Sequence, residues 1–264
     1  MEQEIGFCVS EDGARLAYAR AGSGPALVFL PRWISHLELN WQSRRDLLAP
    51  LGRVYTLVRY DKRGTGLSDR QINDFSIPAQ LRDFESLVRH LGLRRFSLYA
   101  SSAGGSVAIT YAALHPEQVD KLVLYGTFAR LEGVAGRRQT NDALLALIRA
   151  EWGLASTALT DLFMPGASGP EREAFALTQK LSADAEVAAR LWETFVAADV
   201  RALLPRIRSQ TLVVHAKGDH AVPVECGWSW LPASPAPASS LLTGTVTSSP
   251  PNTRPNSGQR CSTS

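Results

Sequence analysis

Ser102 is the side chain of this 264-residue sequence best placed to act as a nucleophile. It lies in the run Tyr99-Ala100-Ser101-Ser102-Ala103-Gly104-Gly105, between a short apolar run and a helical pattern. A nucleophile at a sharp strand-to-helix turn needs small residues two positions before and after it, and Ala100 and Gly104 meet that need. Ser101 or Ser102 could instead cap the helix. The strand pattern before the run and the helical pattern after it favour a turn that presents a reactive hydroxyl.

The sequence around this turn alternates short apolar runs with helical periodicity. Runs typical of buried parallel strands are Ala26–Pro31, Val54–Asp61, Phe96–Ser101, Leu122–Thr127 and Gln210–His215. Helical spacing occupies Ile77–Leu91 and Ala103–Leu114, and Ile5–Ala21 is typical of an antiparallel hairpin. We therefore expect an α/β fold with a mostly parallel sheet and helices on both faces.

Residues 129–207 interrupt this alternation, because strand signals vanish there. Amphipathic helical segments follow, for example Asn141–Trp152, Glu171–Leu181 and Ala183–Val196. We expect a helical cap or lid at 129–207, between two parts of a core at 1–128 and 208–225. Candidates for an apolar pocket under this lid are Trp152, Phe163, Trp192 and Phe195, although such residues more often belong simply to a core.

Two motifs, added to the turn at Ser102, give the chain a family resemblance over residues 1 to about 225. The run Asp61-Lys62-Arg63-Gly64-Thr65-Gly66-Leu67-Ser68 resembles the D-x-R-G-x-G-x-S segment of the α/β-hydrolase fold family. The run from His215 to Pro223 resembles that family's H-G-x-x-D-x-x-V-P. The stretch Trp33–Glu38 is also similar to hydrolase modules that accompany cyclase or regulator domains in bacteria.

The resemblance implies roles for several residues of a serine hydrolase. Asp219 matches the acid of the catalytic triad, whereas His215 matches a structural position at a strand end. The fold's oxyanion hole uses two backbone N–H groups, which by position are those of Trp33 and Ala103. Arg32 stands where the family has a small residue, so its side chain can narrow the loop or reach into the mouth of the site.

The family's third catalytic residue, a histidine after the acid, is missing. The five histidines are His36, His90, His115, His215 and His220, and none follows His220. His220 is the candidate substitute base, but a neighbour of the acid on one loop rarely reaches the proper side of the nucleophile. Without a base, Ser102 keeps its ordinary weak nucleophilicity, and we expect poor hydrolysis.

The tail Cys226–Ser264 is rich in Pro, Ser and Thr and contains no Asp, Glu, Lys or His, which predicts disorder or loose packing. Its prolines argue against a helix or a central strand. One out-of-frame reading of a GC-rich coding sequence from Cys226 contains a helix, a strand and a histidine near Val246 and Thr247. We hypothesise a frameshifted terminus, so that the family's last helix and strand are missing or aberrant.

Composition excludes several other classes of protein. Basic residues (28) and acidic residues (25) are interspersed, which argues against a nucleic-acid partner. No apolar run is long enough to span a membrane, and the first residues do not form a secretory signal, so the cytoplasm is the expected compartment. Three scattered cysteines argue against a disulfide framework or a metal site. No cofactor is expected, because Gly64-Thr65-Gly66 lacks the later glycine that a dinucleotide site needs.

Two functions are therefore open. The first is a serine hydrolase acting on an ester or another small acyl substrate, with Ser102 as nucleophile in place of the aspartate that the family's epoxide hydrolases and dehalogenases use. The second is a non-catalytic ligand-sensing or interaction module, or an inactive frameshifted hydrolase, which the missing histidine favours.

Overall fold

The computed structural model describes residues 1–131, 138–164, 166–216, 218–228 and 240–244, with the backbone alone at 227, 228 and 240–244. An eight-stranded sheet forms its centre, in the order β1-β2-β4-β3-β5-β6-β7-β8. The strands are β1 Glu4–Val9, β2 Arg15–Ala21, β3 Ala26–Leu30, β4 Thr56–Tyr60, β5 Phe96–Ser101, β6 Val119–Tyr125, β7 Gln210–Ala216 and β8 Ser240–Gly244.

The pairing of the strands follows from the connections between them. β1 and β2 form the predicted antiparallel hairpin, and β2 also pairs antiparallel with β4. The pairs β3–β4, β3–β5, β5–β6, β6–β7 and β7–β8 are all parallel. Apolar residues fill the central strands on both faces, as a sheet covered by helices on both sides requires. The carboxyl ends of β3, β5, β6 and β7 therefore lie at one edge, where such sheets bind ligands.

The helices fall into two groups. Those of the core are α1 Leu37–Ser43, α2 Arg45–Leu51, α3 Ile77–His90, α4 Gly104–Leu114 and the short α9 Val224–Trp228. Those between β6 and β7 are α5 Arg138–Ala150, α6 Trp152–Phe163, α7 Gly169–Ser182 and α8 Ala185–Ala197, followed by a 3-10 helix at Arg201–Arg206. The apolar faces of this second group pack with Trp33, Phe75 and Phe128 over the carboxyl edge of the sheet.

The Asp61–Ser68 segment, one of the motifs that carries the family resemblance, is structural. The Oδ2 of Asp61 accepts hydrogen bonds from the N–H of Leu37 (3.1 Å) and of Leu67 (2.9 Å). A Cβ at Gly66 would collide with the Asp61 carboxyl. Arg63 is fully buried and forms a two-pronged ion pair with Asp83, at 2.6 and 2.7 Å. These contacts fix the loop after β4 beside the loop after β3.

The tail from Cys226, predicted to be disordered with its last helix and strand missing or aberrant, contains the end of α9 (to Trp228) and one strand, β8. Ser240–Gly244 pairs parallel with β7 and forms an edge strand. Its sequence contains no proline, so every residue can take part in the ladder. The disorder predicted for the rest of the tail falls on residues 229–239 and 245–264, which lie outside the described residues.

No helix within the described ranges combines the length and the apolar character needed to cross a bilayer.

Candidate active site

Ser102 occupies a strained turn between β5 and α4. Its backbone φ is 51°, and among the described residues it is the only non-glycine residue with a positive φ. This left-handed conformation costs a side-chain-bearing residue of order 1–3 kcal/mol, and such strain persists only where surrounding contacts impose it. The turn places the half-buried Ser102 side chain at the carboxyl edge of the sheet.

Small residues after Ser102 allow the turn to pack closely on its neighbours. A Cβ at Gly104 would lie 2.7 Å from the carbonyl oxygen of Pro31, on the loop after β3. A Cβ at Gly105 would collide with the hydroxyl of Thr127, on the loop after β6. Ala100, two residues before Ser102, is fully buried. At Gly104, the small residue predicted two positions after Ser102, the spacing therefore corresponds to a close approach of backbone.

Two backbone N–H groups are unpaired within the described residues, that of Ala103 at this turn and that of Trp33 on the loop after β3. Neither the amide of Trp33 nor that of Ala103 donates a hydrogen bond to another described residue. Both residues are almost fully buried and belong to the same apolar cluster. A buried N–H without a hydrogen-bond partner is costly, so a partner for these two amides would stabilise the site.

Asp219 lies on the loop that follows β7. Its Oδ1 accepts hydrogen bonds from the N–H of Ala221 (3.0 Å) and of Val222 (2.8 Å), which fix the orientation of the carboxyl. Burial raises the pKa of Asp219, and the Val222 amide and the nearby His215 only partly offset that rise. A Cβ at Gly126 would lie 3.3 Å from the other carboxyl oxygen, Oδ2, so glycine leaves that oxygen room.

Ser102 and Asp219 line one cavity of about 600 Å³. Its walls come from the loops after β3, β5, β6 and β7 and from helices α6 and α7. Besides these two residues, the wall includes Arg32, Trp33, Asn40, Arg44, Tyr99, Tyr125, Phe163, Met164, Phe175, Thr178 and Gln179. Most of this wall is apolar, and its volume is that of a small-molecule site.

The histidines do not complete this arrangement. All five lie in the described part of the chain, and none of them lines the cavity. His220 is exposed beside Asp219, and His215 is buried with its Nε2 2.6 Å from the carbonyl oxygen of Val222. His36 lines a smaller neighbouring cavity with Asp61 and Ser101. The structure thus brings together the predicted nucleophile and the predicted acid without a described imidazole between them.

Of the four predicted pocket aromatics, Phe163 alone lines the cavity within the described residues. Trp192 and Phe195 are almost fully buried, and the Nε1 of Trp192 donates to Asn141 (2.7 Å). The Nε1 of Trp152 donates to the Ala183 carbonyl (2.9 Å). These three rings belong to the apolar cluster that contains Trp33 and do not line the described cavity, which corrects their prediction as pocket residues.

Several wall residues were not found from the sequence. Tyr125 is the last residue of β6 and Gly126 follows it, and their position near the carboxyl end of a predicted parallel strand was a signal that could have identified them. Arg44, Phe175 and Thr178 lie on segments distant in sequence, and no local pattern marks them. Among the described residues, no cluster of three His, Cys, Asp or Glu side chains is arranged to hold a metal ion.

Comparison with known proteins supports the fold. The sequence model of the α/β hydrolase fold family matches residues 25–150. A hydrolase of known structure from Pseudomonas aeruginosa superposes with a TM-score of 0.78 at 25% identity, over 92% of this chain and 90% of that one. Pyrrolizixenacetamide deacetylase from Xenorhabdus hominickii is 29% identical over 80% of this chain and 79% of its own length.

Other relatives match over a shorter range. A soluble epoxide hydrolase from Corynebacterium is 31% identical over 113 residues, which are 43% of this chain and 38% of that protein. The chain spans 38% to 41% of the length of the first curated relatives that it matches.

Proposed function

We propose that this chain, which has the α/β-hydrolase fold, is built as a serine hydrolase for an ester or another small acyl substrate and works poorly because a histidine base is missing. The observation that carries the proposal is the strained Ser102, held at φ 51° in the cavity that also contains Asp219. Strain of this kind is typical of functional positions, and a helix cap does not require it.

Each group of the site has a role in acyl transfer. The Ser102 Oγ attacks the substrate carbonyl, its proton passes to a base, and the oxyanion formed accepts hydrogen bonds from the Trp33 and Ala103 amides. Collapse of that intermediate expels the alcohol, which takes the proton, and leaves an acyl group on Ser102. Water then repeats the attack and releases the acid. Asp219 orients and stabilises the protonated base during both steps.

The impairment follows from the position of the histidines. Because none of the five lines the cavity, the Ser102 hydroxyl has no described imidazole to take its proton. A triad that lacks one member retains only the contribution of the oxyanion hole and of substrate binding. His220 remains the candidate substitute, although its side chain is exposed outside the cavity wall.

The relatives are consistent with this chemistry. The Xenorhabdus relative is named as a deacetylase, and removal of an acetyl group is an acyl transfer. The relative from Corynebacterium is named as an epoxide hydrolase. A serine at the turn favours acyl chemistry for this chain, because opening an epoxide in this family uses an aspartate nucleophile.

The second candidate is a module that binds a small ligand without turning it over, and the cavity without a histidine favours it. In either case we propose that residues 129–207 act as a lid over a core formed by 1–128 and 208–225, and that the protein works in the cytoplasm. A frameshift near Cys226 would account for the loss of the base in a descendant of an active enzyme.

A fluorophosphonate probe distinguishes the two candidates, because it reacts with an activated serine and ignores an idle one. We expect slow but measurable labelling of the wild-type chain and none of Ser102→Ala. The control is Ser97→Ala, which removes a half-buried hydroxyl from the same strand outside the cavity and leaves labelling unchanged. Equal labelling of wild type and Ser102→Ala would reject the serine hydrolase.

Resequencing the locus tests the origin of the tail. A single-base shift near the Cys226 codon supports the frameshift, and the frame-corrected chain is then expected to react with the probe much faster. An unbroken reading frame through Cys226 would reject this part of the proposal while leaving the assignment of Ser102 intact.

A further inference from the structure

Two arginines line the wall of the cavity that contains Ser102. Arg32 directly precedes Trp33 on the loop after β3, and Arg44 joins α1 to α2. Both side chains are half-buried. Asn40 and the phenol rings of Tyr99 and Tyr125 line the same part of the wall. The wall of the cavity therefore carries two cations and several polar groups, whereas Phe163 and Phe175 add apolar surface from α6 and α7.

Neither guanidinium has an anionic partner. Within the described residues, the side chains of Arg32 and Arg44 form no ion pair and no hydrogen bond, and Arg32 instead lies 5.7 Å from the centre of the Phe175 ring. Other buried arginines of this chain are satisfied: Arg59 donates to the carbonyl of Leu37 (2.6 Å), and Arg63 is paired with Asp83 (2.6 Å). Among the buried and half-buried arginines that the structure describes, the two in the cavity are therefore the ones without a polar partner.

The electrostatics of this region favour an added negative charge. Burial, and to a smaller extent the nearby Arg44, lower the pKa of Arg32 to about 10, although the phenols of Tyr99 and Tyr125 oppose the fall. Arg32 is still a cation at neutral pH. A desolvated cation beside a second cation is costly, and an anion placed between them would relieve both the desolvation and the repulsion.

We propose that Arg32 and Arg44 form a subsite for a carboxylate, so that the preferred acyl substrates carry a negative charge. The carboxylate would accept hydrogen bonds from one or both guanidinium groups, whose planar arrays of N–H donors match its two oxygens. Anchored there, the substrate would present its ester carbonyl to Ser102 and to the Trp33 amide next to Arg32. This subsite deepens the proposed function and rests on it.

A competing role for Arg32 is direct stabilisation of the oxyanion, because Trp33 is its neighbour. That role would accelerate neutral and anionic substrates alike, since the oxyanion is common to both. A carboxylate subsite instead discriminates between substrates by charge. Charge preference, and not overall reactivity, is therefore the quantity to measure.

The test compares two ligands of the same length that differ in charge, monomethyl glutarate and dimethyl glutarate. Their dissociation constants are measured by calorimetry on full-length Ser102→Ala, which cannot turn them over. We expect the monoanion to bind about tenfold more tightly or better, a difference of about 1.4 kcal/mol, because a guanidinium forms stronger hydrogen bonds to a carboxylate than to a neutral ester. The preference should weaken as salt is added.

Variants in the same Ser102→Ala background assign the preference to residues. Arg32→Gln and Arg44→Gln should each reduce it severalfold, and Arg32→Lys should keep part of it because the charge remains. The control is Arg45→Gln, which removes an exposed cation next to Arg44 that does not line the cavity, and it should leave the preference unchanged. Far-ultraviolet circular dichroism checks that each variant is folded.

Failure of this inference is distinguishable from failure of the proposed function. Equal affinity for the two ligands, or a preference that survives both glutamine variants, would overturn the carboxylate subsite even if the probe labels Ser102. A preference lost in both variants supports the subsite. If the preference for the monoanion were found in a chain that the probe never labels, the carboxylate subsite would be supported as part of a binding module. The proposal of a serine hydrolase would then be rejected.

Discussion

The hydroxyl of Thr127 donates a hydrogen bond of 2.7 Å to the backbone carbonyl of Ser102. Thr127 is fully buried on the loop after β6, one strand away from Ser102. The N–H of Ser102 donates in turn to the carbonyl of Tyr125 (3.1 Å), and the N–H of Gly105 also donates to the Ser102 carbonyl (3.0 Å). Three hydrogen bonds thus hold the strained backbone of the candidate nucleophile, and two of them come from the end of β6.

Thr127→Val tests whether this contact positions the nucleophile. Valine has nearly the same shape but no donor, and the Ser102 carbonyl keeps the Gly105 N–H, so we expect a loss of only about 1 kcal/mol in the free energy of unfolding. Probe labelling of Ser102 should slow by roughly two- to tenfold, because the turn is held less firmly. Both are measured on one preparation, by urea denaturation and by the labelling time course.

Thr127→Ser is the matched control, since it keeps the hydroxyl and removes a methyl group. It should label at nearly the wild-type rate even if it is less stable. Slower labelling in both variants, in proportion to their loss of stability, would show that Thr127 acts only through packing.

Asp219→Asn is expected to stabilise the folded chain at neutral pH, by on the order of 1 kcal/mol. Burial raises the pKa of Asp219 in the folded state, so the folded protein holds this proton at pH values where the unfolded chain has released it. Stability therefore falls as the pH rises through the unfolded and then the folded pKa. Asparagine carries no charge and keeps the oxygen that accepts from Ala221 and Val222.

Urea denaturation of wild type and Asp219→Asn at pH 4 and pH 7 measures this effect. The advantage of the variant should be larger at pH 7 than at pH 4. A variant that is less stable than wild type at pH 7 would mean that the ionised carboxylate is well solvated or paired, against the burial seen here.

Lys62, which does not line the cavity, provides an independent test of how a buried charge affects the free energy of unfolding. Its side chain is 5% exposed, and burial lowers its pKa to about 7, although the nearby Asp83 opposes the fall. An unfolded chain binds a proton at this lysine up to its ordinary pKa, so stability should rise between about pH 7 and pH 10. Lys62→Met should remove that rise and increase the free energy of unfolding at pH 6 by about 1 kcal/mol or more.

Lys180→Met serves as the control for Lys62→Met, because Lys180 is exposed on α7. Chemical denaturation at pH 6 and pH 9.5 should show a change in pH dependence for Lys62→Met alone. The same pH dependence in both variants would contradict the assignment to Lys62.

The parts of the fold predicted from sequence were those set by local pattern. The five apolar runs predicted to be strands correspond to β3 to β7, because buried parallel strands consist of nearly continuous apolar residues. The helix predicted for Asn141–Trp152 was wrong at its C-terminal end, because α5 ends at Ala150 and a separate helix, α6, begins at Trp152. The helix is interrupted at Glu151, whose backbone angles are not helical. The next residue, Trp152, donates its indole N–H to the Ala183 carbonyl, a tertiary contact that helical periodicity cannot reveal.

The candidate site, like the fold, could be predicted only in part from the sequence. Ser102 and Asp219 could be predicted because each follows a parallel strand, and the carboxyl ends of such strands meet at one edge. Arg32 was expected to narrow the loop or reach into the mouth of the site, but its pairing with Arg44 could not be predicted. Arg44 reaches the cavity only through the packing of α1 and α2, two seven-residue helices that the sequence did not predict. Whether an arginine has a charged partner also depends on its neighbours in three dimensions, and a sequence pattern does not contain that information.

Free imidazole should restore reactivity to Ser102. The cavity of about 600 Å³ has room for a small base beside Ser102, and Asp219 is already oriented by two backbone amides. We expect probe labelling of the wild type to rise with imidazole concentration and then to saturate, because the base must occupy a site. The effect should follow the neutral form of imidazole, which alone can accept the Ser102 proton.

Three comparisons make this rescue decisive. Pyrazole has the size of imidazole but is a much weaker base, so it should give little acceleration. Asp219→Asn should leave the slow basal labelling nearly unchanged while abolishing most of the rescue, because its carboxylate serves the base and not the serine. Fast labelling without imidazole that Asp219→Asn or His220→Gln abolishes would show instead that a histidine of the chain completes the triad, and the impairment would be disproved.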